Sequence, residues 1–535
     1  MIPKVADQAA AGLGSVSEAP MTRFLAPRIV RHMSAPESTG EQIAGSGIDA
    51  RTATVAGLQQ ALSAGSLTSA ELTAFCLGRI ERLNPELHAV VTVSQDARDQ
   101  ASASDSARAG GQPRGPLEGI PVLIKDNIAV DGQPATAGSP ALHGAEASDA
   151  FLVTRLRTAG AVIVGKANLS EWANFRSRHS TSGWSTLGGQ TVNPYGTGRN
   201  PSGSSSGSAV AVAAGLVPLA VGTETDGSIV SPAHACGIVG IKPTVGLVSR
   251  TGIVPISLDQ DTAGPMTRCV ADAAALLGVL AGLDPADPGT ISAAGRPADY
   301  TQFLDPGALA GARIGIWREG SVGAVPGAVE ALDQAVSLLR AHGAEVIDPI
   351  ELLGADEIGE PEFLALRYEF KDDLDGYLGG LGGEHPMSLG ELIEFNSRNG
   401  PRVLTHFGQE VFEEAAATAG RSAPACKVAR AHALELARSG LDGALAGRQL
   451  DAVLSLTGNP AWLTDHVLGD CHEAGTSSPA AVAGYPAITV PAGWVSGLPV
   501  GVTFVGPAWS EPRLIALAYA FEQADPGHRA DSRQR

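Results

Sequence analysis

The sequence predicts an α/β protein in which a large central sheet is covered by helices on both faces. Two short apolar runs, Ile120–Ile124 and Ala161–Val164, are bounded by glycine or lysine and have the character of strands. Both runs lie beside stretches with helical spacing of apolar residues, and helices that alternate with short strands cover the two faces of a buried sheet. With 44% hydrophobic and 17% charged residues, the chain can build an extensive core.

Further elements follow in order along the chain. The segment Thr52–Leu83 carries leucine and isoleucine at helical spacing, and Ser69 is predicted to cap a helix there. Small apolar residues predict a helix over Ala209–Leu219, and a second helical pattern covers Ala271–Leu283. The remaining predictions are a strand at Ile314–Trp317, a largely helical region from Glu360 to Arg438, and strands at Ala487–Val490 and Val500–Val505.

Changes in composition divide the chain into three parts. Residues 1–50 are polar, small and interrupted by proline, so they are predicted to form an N-terminal extension. Residues 51–525 are predicted to form the main domain, with a helical insertion around residues 355–445. Residues 526–535 are predicted to be a C-terminal tail.

The net charge and the hydropathy exclude several classes of partner. Acidic residues outnumber basic ones by 56 to 37, which gives a formal net charge of −19. This charge repels phosphate backbones and anionic lipids, so we expect neither nucleic-acid binding nor membrane binding. The sequence lacks an apolar run of about 18 residues that would predict a transmembrane helix. It also lacks a signal-peptide pattern near its start, so the expected location is the cytoplasm.

The cysteine and histidine residues predict no metal site. The five cysteines are widely scattered and form no CxxC pair, and none of the 12 histidines falls in an HExxH arrangement. We therefore expect reduced, mostly structural cysteines and no bound metal.

Two turns rich in glycine and serine flank the predicted helix at Ala209–Leu219. They are Pro201–Ser208 and Gly222–Ile229. Glycine loses more backbone freedom on folding than any other residue, so this density needs an explanation beyond a simple connection. Close approach of the backbone to a ligand is one such explanation.

Lys125 is a candidate base for a serine in these turns. A serine hydroxyl becomes an effective nucleophile only when a base takes its proton. Lys125 directly follows the apolar run Ile120–Ile124, where loss of surrounding water favours the neutral amine. Spacing alone leaves open whether Lys125 meets Ser228, because the two residues lie far apart along the chain.

At these residues the sequence resembles the amidase-signature family. The three diagnostic blocks are matched in order by Gly119–Asn127, Ser202–Ser208 and Gly222–Pro232. Further similarity covers Gly165–Trp172, Gly237–Pro243, Asp259–Met266, and the neighbourhoods of Gly484–Pro486 and Gly497–Pro499, so that the resemblance spans roughly residues 51–525. It implies an amidase-signature fold with a large mixed central sheet, a catalytic domain that hydrolyses linear amides, and no cofactor.

The resemblance also implies a role for each residue of a catalytic triad. Ser228 would form the acyl-enzyme, Ser204 would relay its proton, and Lys125 would be the ultimate base. The peptide bond that enters the relay serine is cis in this family, which here is the bond Gly203–Ser204. The oxyanion hole implied by the resemblance consists of the backbone N–H groups of Thr225, Asp226, Gly227 and Ser228.

Departures from the common family pattern bear on the substrate. Asp226 stands where many members have a glycine, and Ser202 stands where the first glycine of a Gly-Gly pair is common. Neither change removes a group of the relay, and Asp226 adds a charge that would affect substrate choice. The segments that resemble the peptide-amidase branch, whose members remove C-terminal amide groups, are Thr223–Ser228, Glu369–Lys371 and Phe407–Glu410.

Simpler interpretations exist for the same residues. Taken alone, Lys125 is typical of a lysine at a sheet edge with its amine in solvent. Serines in glycine-rich loops commonly form hydrogen bonds with backbone groups of the turn. Ser205 completes a GxSxG pattern, but no strand precedes it as a nucleophile elbow requires, so it is predicted to support the relay. Trp172, Arg176 and Ser205 are candidates for the substrate pocket. For Trp172 and Arg176, core packing and an internal ion pair are equally favoured.

The leading hypothesis is therefore an amidohydrolase that acts on small-molecule or peptide amides, as a monomer or homodimer. Aryl-acylamides, carbamates and esters remain alternative substrates because they share the acyl chemistry. A hypothesis of another class is an amidotransferase subunit that supplies ammonia to aminoacyl-tRNA. A third is an inactive binding protein with the same fold.

Overall fold

The computed structural model describes residues 43, 48–49, 51–471 and 474–525. These residues belong to one compact unit. The predicted C-terminal tail and all but three residues of the predicted N-terminal extension lie outside the described residues.

The strands of the described residues span nearly the whole of the main domain. They are β1 (Val90–Val93), β2 (Pro121–Lys125), β3 (Gly144–Glu146), β4 (Val162–Ala167), β5 (Trp184–Ser185), β6 (Gly189–Gln190), β7 (Leu219–Glu224), β8 (Val239–Lys242), β9 (Thr262–Thr267), β10 (Arg313–Trp317), β11 (Glu345–Ile350), β12 (Gly382–Glu384), β13 (Ala452–Leu456), β14 (Ala487–Val495) and β15 (Leu498–Val505).

The α-helices alternate with these strands along most of the chain. They are α1 (Val55–Ala64), α2 (Ser69–Leu87), α3 (Ala97–Ala109), α4 (Phe151–Thr158), α5 (Ser206–Ala213), α6 (Val230–Ala235), α7 (Val270–Leu280), α8 (Pro326–Ala341), α9 (Gly359–Gly379), α10 (Leu389–Arg398), α11 (Gly400–Val403), α12 (Glu410–Ala416), α13 (Pro424–Gly447), α14 (Ser478–Ala483) and α15 (Glu511–Ala524).

Within the described residues, eleven strands form one mixed sheet. Their order is β1–β4–β2–β7–β9–β8–β14–β15–β13–β10–β11. Strand β2 is parallel to both of its neighbours, β4 and β7, whereas β7 is antiparallel to β9. The predicted α/β fold with a large mixed central sheet is thus confirmed.

Apolar side chains of the central strands point alternately to the two faces of the sheet, and both sets are buried. On β2, Val122 and Ile124 belong to one apolar cluster and Leu123 to another, as the two-residue repeat of a strand requires. The first cluster draws on α7, α8 and α15, and the second on α2, α3 and α5. Helices therefore cover both faces of the sheet, as the sequence predicts.

Local signals explain where the first two helices begin and end. The predicted helical segment Thr52–Leu83 is divided at Gly65, which has a φ of +69° and ends α1. Thr68, rather than the predicted Ser69, caps α2. Its hydroxyl accepts a hydrogen bond from the backbone N–H of Glu71 at 3.1 Å, and the Glu71 carboxylate accepts one from the backbone N–H of Thr68 at 2.8 Å.

Three other features bear on the expectations from the sequence. Helices α9 to α13 occupy the range of the predicted helical insertion. None of the described helices combines the length and the apolar composition needed to cross a bilayer. In the same residues, no group of three or more His, Cys, Asp or Glu side chains is placed to hold a metal ion.

Candidate active site

Lys125 ends strand β2 with its amine fully buried. Its Nζ donates to Ser204 Oγ at 2.8 Å and to Thr223 Oγ1 at 2.8 Å, and the Thr223 carbonyl oxygen lies 3.2 Å away. The side chain is 0% exposed, so the interpretation as a solvent-exposed sheet-edge lysine is wrong. Burial lowers the pKa of Lys125 to about 7, against the opposing charges of Glu224 and Asp261.

Ser204 lies in the glycine- and serine-rich turn that precedes α5. Its side chain is fully buried, and the Gly203–Ser204 peptide bond is cis, as predicted. A Cβ atom at Gly203 would overlap Ser170 Oγ, so only glycine fits at this close approach. The turn thus places the Ser204 hydroxyl directly against the amine of Lys125.

Ser228 lies in the turn between β7 and α6. Its backbone carbonyl accepts a hydrogen bond from the N–H of Ser205 at 3.2 Å, which joins this turn to the one that carries Ser204. The residue is 9% exposed, whereas Ser204 is 0% exposed. Ser228 is thus the more accessible of the two serines.

The backbone of the predicted oxyanion hole has free donors. The N–H groups of Thr225, Asp226, Gly227 and Ser228 donate to no acceptor in the described residues. Gly227 has a φ of +75°, a conformation that glycine adopts without steric cost and that turns the chain sharply before Ser228. Four successive donors are therefore available to a ligand oxygen.

Side chains hold this loop in place without forming hydrogen bonds to the backbone N–H groups of residues 225–228. Gln260 Nε2 donates to the Thr225 carbonyl at 2.9 Å, and Thr225 Oγ1 donates to Asp261 Oδ1 at 2.5 Å. Arg430 donates in turn to Gln260 Oε1 at 2.7 Å. Glu224 Oε2 accepts from two N–H groups at the start of α6, at 2.7 and 3.0 Å. These contacts fix the loop while leaving its N–H groups unpaired.

Asp226, one of the two departures from the common family pattern, lies beside other polar groups. Its Oδ2 accepts a hydrogen bond from Ser478 Oγ at 2.6 Å. Burial raises the pKa of Glu362 on α9 well above its usual range, and the charge of Asp226 adds to this shift. The loop therefore carries an acidic residue next to a second, buried carboxyl group.

Thr223 and Asn127 were not selected from the sequence, although both lie inside the matched motif blocks. The hydroxyl of Thr223 accepts from Lys125 Nζ and also from Asn127 Nδ2, at 3.0 Å. Ser205 supports the same strand end, because its Oγ donates to the Thr223 carbonyl at 3.0 Å and accepts from the Thr223 N–H at 3.2 Å. A role for Ser205 in substrate binding stays a prediction.

Trp172 and Arg176 both pack against aromatic side chains. Trp172 is 2% exposed and lies edge-on to Phe412, with 5.6 Å between ring centroids. The guanidinium of Arg176 is buried, forms an ion pair with Glu171, and lies 4.4 Å from the ring centroid of Phe407. The internal ion pair weighed for Arg176 is therefore present, and substrate contact by either residue stays a prediction.

Replacing Arg176 with alanine is expected to destabilise the fold. The change leaves Glu171 buried without its partner, and breaking such a pair costs about 3–5 kcal/mol. Urea unfolding followed by tryptophan fluorescence measures the loss. In the double variant Glu171→Gln/Arg176→Met no uncompensated charge remains, so it should recover most of the stability. A raised KM with unchanged unfolding would instead indicate that Arg176 binds substrate.

Comparisons with known proteins agree with the fold and with these motifs. The Amidase family model matches residues 71–515. A probable amidase of Arabidopsis thaliana is 43% identical over 486 residues, which cover 88% of this chain and 90% of that protein. The structure of native peptide amidase from Stenotrophomonas maltophilia is 50% identical, with a TM-score of 0.84, and the match covers 88% of this chain and 96% of that one.

A more distant relative is a glutamyl-tRNA(Gln) amidotransferase subunit of Symbiobacterium thermophilum. It is 35% identical over 491 residues, which cover 88% of this chain and 97% of that protein. Taken together, the mixed sheet and the matched motifs define an amide-hydrolysing enzyme. The chain belongs to the amidase family, so the resemblance found in the sequence is confirmed.

Proposed function

We propose that the protein hydrolyses linear carboxamides, including the C-terminal amides of peptides, through a Ser228–Ser204–Lys125 relay. The observation that carries this proposal is the buried contact of 2.8 Å between Lys125 Nζ and Ser204 Oγ. Burial lowers the pKa of Lys125 to about 7, so much of the amine is neutral near neutral pH and accepts a proton.

The reaction follows from these groups in two halves. Ser228 Oγ attacks the carbonyl carbon while its proton passes through Ser204 to Lys125, and the oxygen of the tetrahedral intermediate binds to the N–H groups of the loop at residues 225–228. The C–N bond then breaks as the proton returns through Ser204 to the leaving nitrogen. Water attacks the acyl-enzyme by the same relay and releases the carboxylic acid.

Among carboxamides, peptide amides are the favoured substrates because the chain is more similar to a peptide amidase than to the amidotransferase subunit. The chain is 50% identical to the peptide amidase structure, against 35% to the amidotransferase subunit. The acidic residue at 226 in the loop is also part of the segment that resembles the peptide-amidase branch.

Replacing Ser204 with alanine tests the relay. We expect kcat/KM for ammonia release from a peptide amide to fall by about 100-fold, the lower end for general acid–base catalysis, because a water molecule can take the place of the hydroxyl. The matched control is Ser208→Ala, which removes a buried hydroxyl on α5 that donates to the Val221 carbonyl at 3.1 Å. Equal activity losses in the two variants would contradict the relay.

The amidotransferase function is the second candidate, since 35% identity to that relative extends over 88% of the chain. Copurification with partner proteins, together with glutamine-dependent amidation of a glutamyl-tRNA, would decide for this function. Ammonia release from peptide amides by the isolated chain would decide for the hydrolase.

A further inference from the structure

Asp226 and Glu362 bring two carboxyl groups together at the loop of residues 225–228. A hydrogen bond joins the two side chains, and Glu362 on α9 is only 6% exposed. Such a bond requires a proton on one of the two groups, because an ionised carboxylate only accepts. Asp226 Oδ1 is also buried, and in the described residues neither an N–H nor an alcohol group donates to it. The contact therefore needs one shared proton.

Gln260 fixes the role of one oxygen of Glu362. Its Nε2 donates to the Thr225 carbonyl at 2.9 Å and to Glu362 Oε1 at 2.6 Å. Its Oε1 accepts from Arg430 at 2.7 Å, so the orientation of the carboxamide is set from both ends. Glu362 Oε1 is thus an acceptor, which leaves Oε2 as the oxygen to carry a proton. The same amide ties Glu362 to the backbone of the loop.

The charges around Glu362 favour its neutral form. Arg430 faces it from α13, but both oxygens of Glu369 accept from this guanidinium, so its charge is already balanced. Burial raises the pKa of Glu362 well above its usual range, and the negative charge of Asp226 adds to the effect. We therefore expect Glu362 to be the neutral member of the pair.

Asp226 is the better place for the negative charge. Its side chain is half-buried, and its Oδ2 accepts a hydrogen bond from Ser478 Oγ at 2.6 Å. Lys242 and Glu224 are the charged groups of the neighbouring sheet that interact with it, and they are of opposite sign. A carboxylate that is partly hydrated and already accepts one hydrogen bond ionises more easily than one that is buried.

We propose that Glu362 is protonated in the active protein and donates a hydrogen bond from its carboxyl group to Asp226 Oδ1, which makes it a positioning residue for the loop at residues 225–228. This inference rests on the proposed role of the N–H groups of that loop. Asp226 supplies one of them, so a fixed side chain at 226 also fixes the direction of its N–H. Two ionised carboxylates at this place would repel each other and displace the loop.

Two substitutions at residue 362 separate the donated proton from the charge. Glu362→Leu leaves Asp226 Oδ1 without a donor, so kcat for peptide-amide hydrolysis should fall by about 10-fold with little change in KM. Glu362→Gln keeps a donor of nearly the same shape and should restore most of this loss. A glutamine variant as impaired as the leucine variant would show that the site needs an ionised Glu362, and it would overturn the proposal.

Glu369→Gln is the matched control, because Glu369 lies about two turns further along α9 and is 1% exposed. Its carboxylate accepts from Arg430 and from Ser257 Oγ at 2.6 Å, so loss of its charge breaks a buried ion pair. Urea unfolding should show a clear loss of stability for Glu369→Gln and little for Glu362→Gln. Equal losses in the two variants would contradict a neutral Glu362.

Infrared spectroscopy detects the proton directly. The difference spectrum between wild type and Glu362→Gln near neutral pH should contain the carbonyl band of a protonated carboxylic acid. With rising pH this band should disappear together with kcat, beyond the plateau that follows deprotonation of Lys125, and Glu362→Gln should lack this alkaline fall. A difference spectrum without the band, or the same alkaline fall in Glu362→Gln, would overturn the proposal.

The outcomes separate this inference from the function on which it rests. The infrared and unfolding measurements need no substrate, so they decide whether Glu362 carries the proton independently of any turnover. Presence of the band in a protein that releases no ammonia from peptide amides would count against the proposed function alone. Normal turnover without the band would count against the protonated pair alone.

Discussion

Replacing Ser228 with alanine is expected to lower kcat for peptide-amide hydrolysis by about 10⁶-fold, as loss of the nucleophile does in other serine hydrolases. The variant keeps the loop N–H groups at residues 225–228, so a small residual rate from binding and charge stabilisation should remain. Ammonia release at saturating substrate measures the change. A phosphonate probe should label the wild type and leave the variant unmodified.

The control for this variant is Ser231→Ala, one turn further along α6. Ser231 donates its backbone N–H to the Gly227 carbonyl at 2.8 Å, a contact that alanine retains. This variant should stay close to wild-type activity. Substantial turnover by a folded Ser228→Ala protein would rule out the assigned nucleophile.

Replacing Lys125 with methionine is expected to lower kcat/KM by about 10⁴-fold, the upper end for loss of a general base. Only the neutral amine accepts a proton, and its pKa is lowered to about 7 by burial. Wild-type kcat/KM should therefore be low in acid, rise with pH through about 7, and level off above it. The residual activity of the methionine variant should lack this rise.

Lys125→Arg is the matched control for charge. Arginine keeps the positive charge, but it stays protonated and therefore cannot accept a proton. This variant should be as inactive as the methionine variant. Activity of the arginine variant near the wild-type level, or a wild-type profile that is flat from about pH 5 to pH 9, would contradict the assignment of Lys125 as the base.

Much of the central sheet can be predicted from the sequence because its strands are short apolar runs with clear boundaries. The run Ile120–Ile124 predicts β2 to within one residue, and Ile314–Trp317 predicts β10 equally well. Glycine or a charged residue at each end limits the run, and its length excludes a helix.

The prediction over Ala209–Leu219 is wrong at its C-terminal end. Helix α5 stops at Ala213, and Leu219 is the first residue of β7. Alanine, valine and leucine fill both a close-packed helix and a strand buried on two faces, so their pattern does not mark the change from one to the other. Gly215, with a φ of +65°, is the local signal of the break.

The candidate site, like the fold, could be predicted from the sequence only in part. The motif blocks identify Lys125 and Ser204 by resemblance, and the structure brings these two side chains into contact. The contacts of Thr223 with Lys125 and Asn127 depend instead on the register between β2 and β7, where Ile124 is paired with Val221. Register between strands so distant in sequence is set by the packing of the whole sheet, which no local pattern reports.

The parallel pairing of β2 with β7 also has a consequence for the chain before it folds. Lys125 ends one strand and Ser228 follows the other, so the dry environment that depresses the basicity of the amine exists only when the middle of the sheet is complete. In the unfolded chain the lysine is hydrated and protonated, with a pKa of about 10.4, and Ser228 is an ordinary alcohol. Under the proposed mechanism, nascent or denatured molecules do not react with a serine-directed phosphonate, and covalent capture of Ser228 counts the molecules that have finished folding.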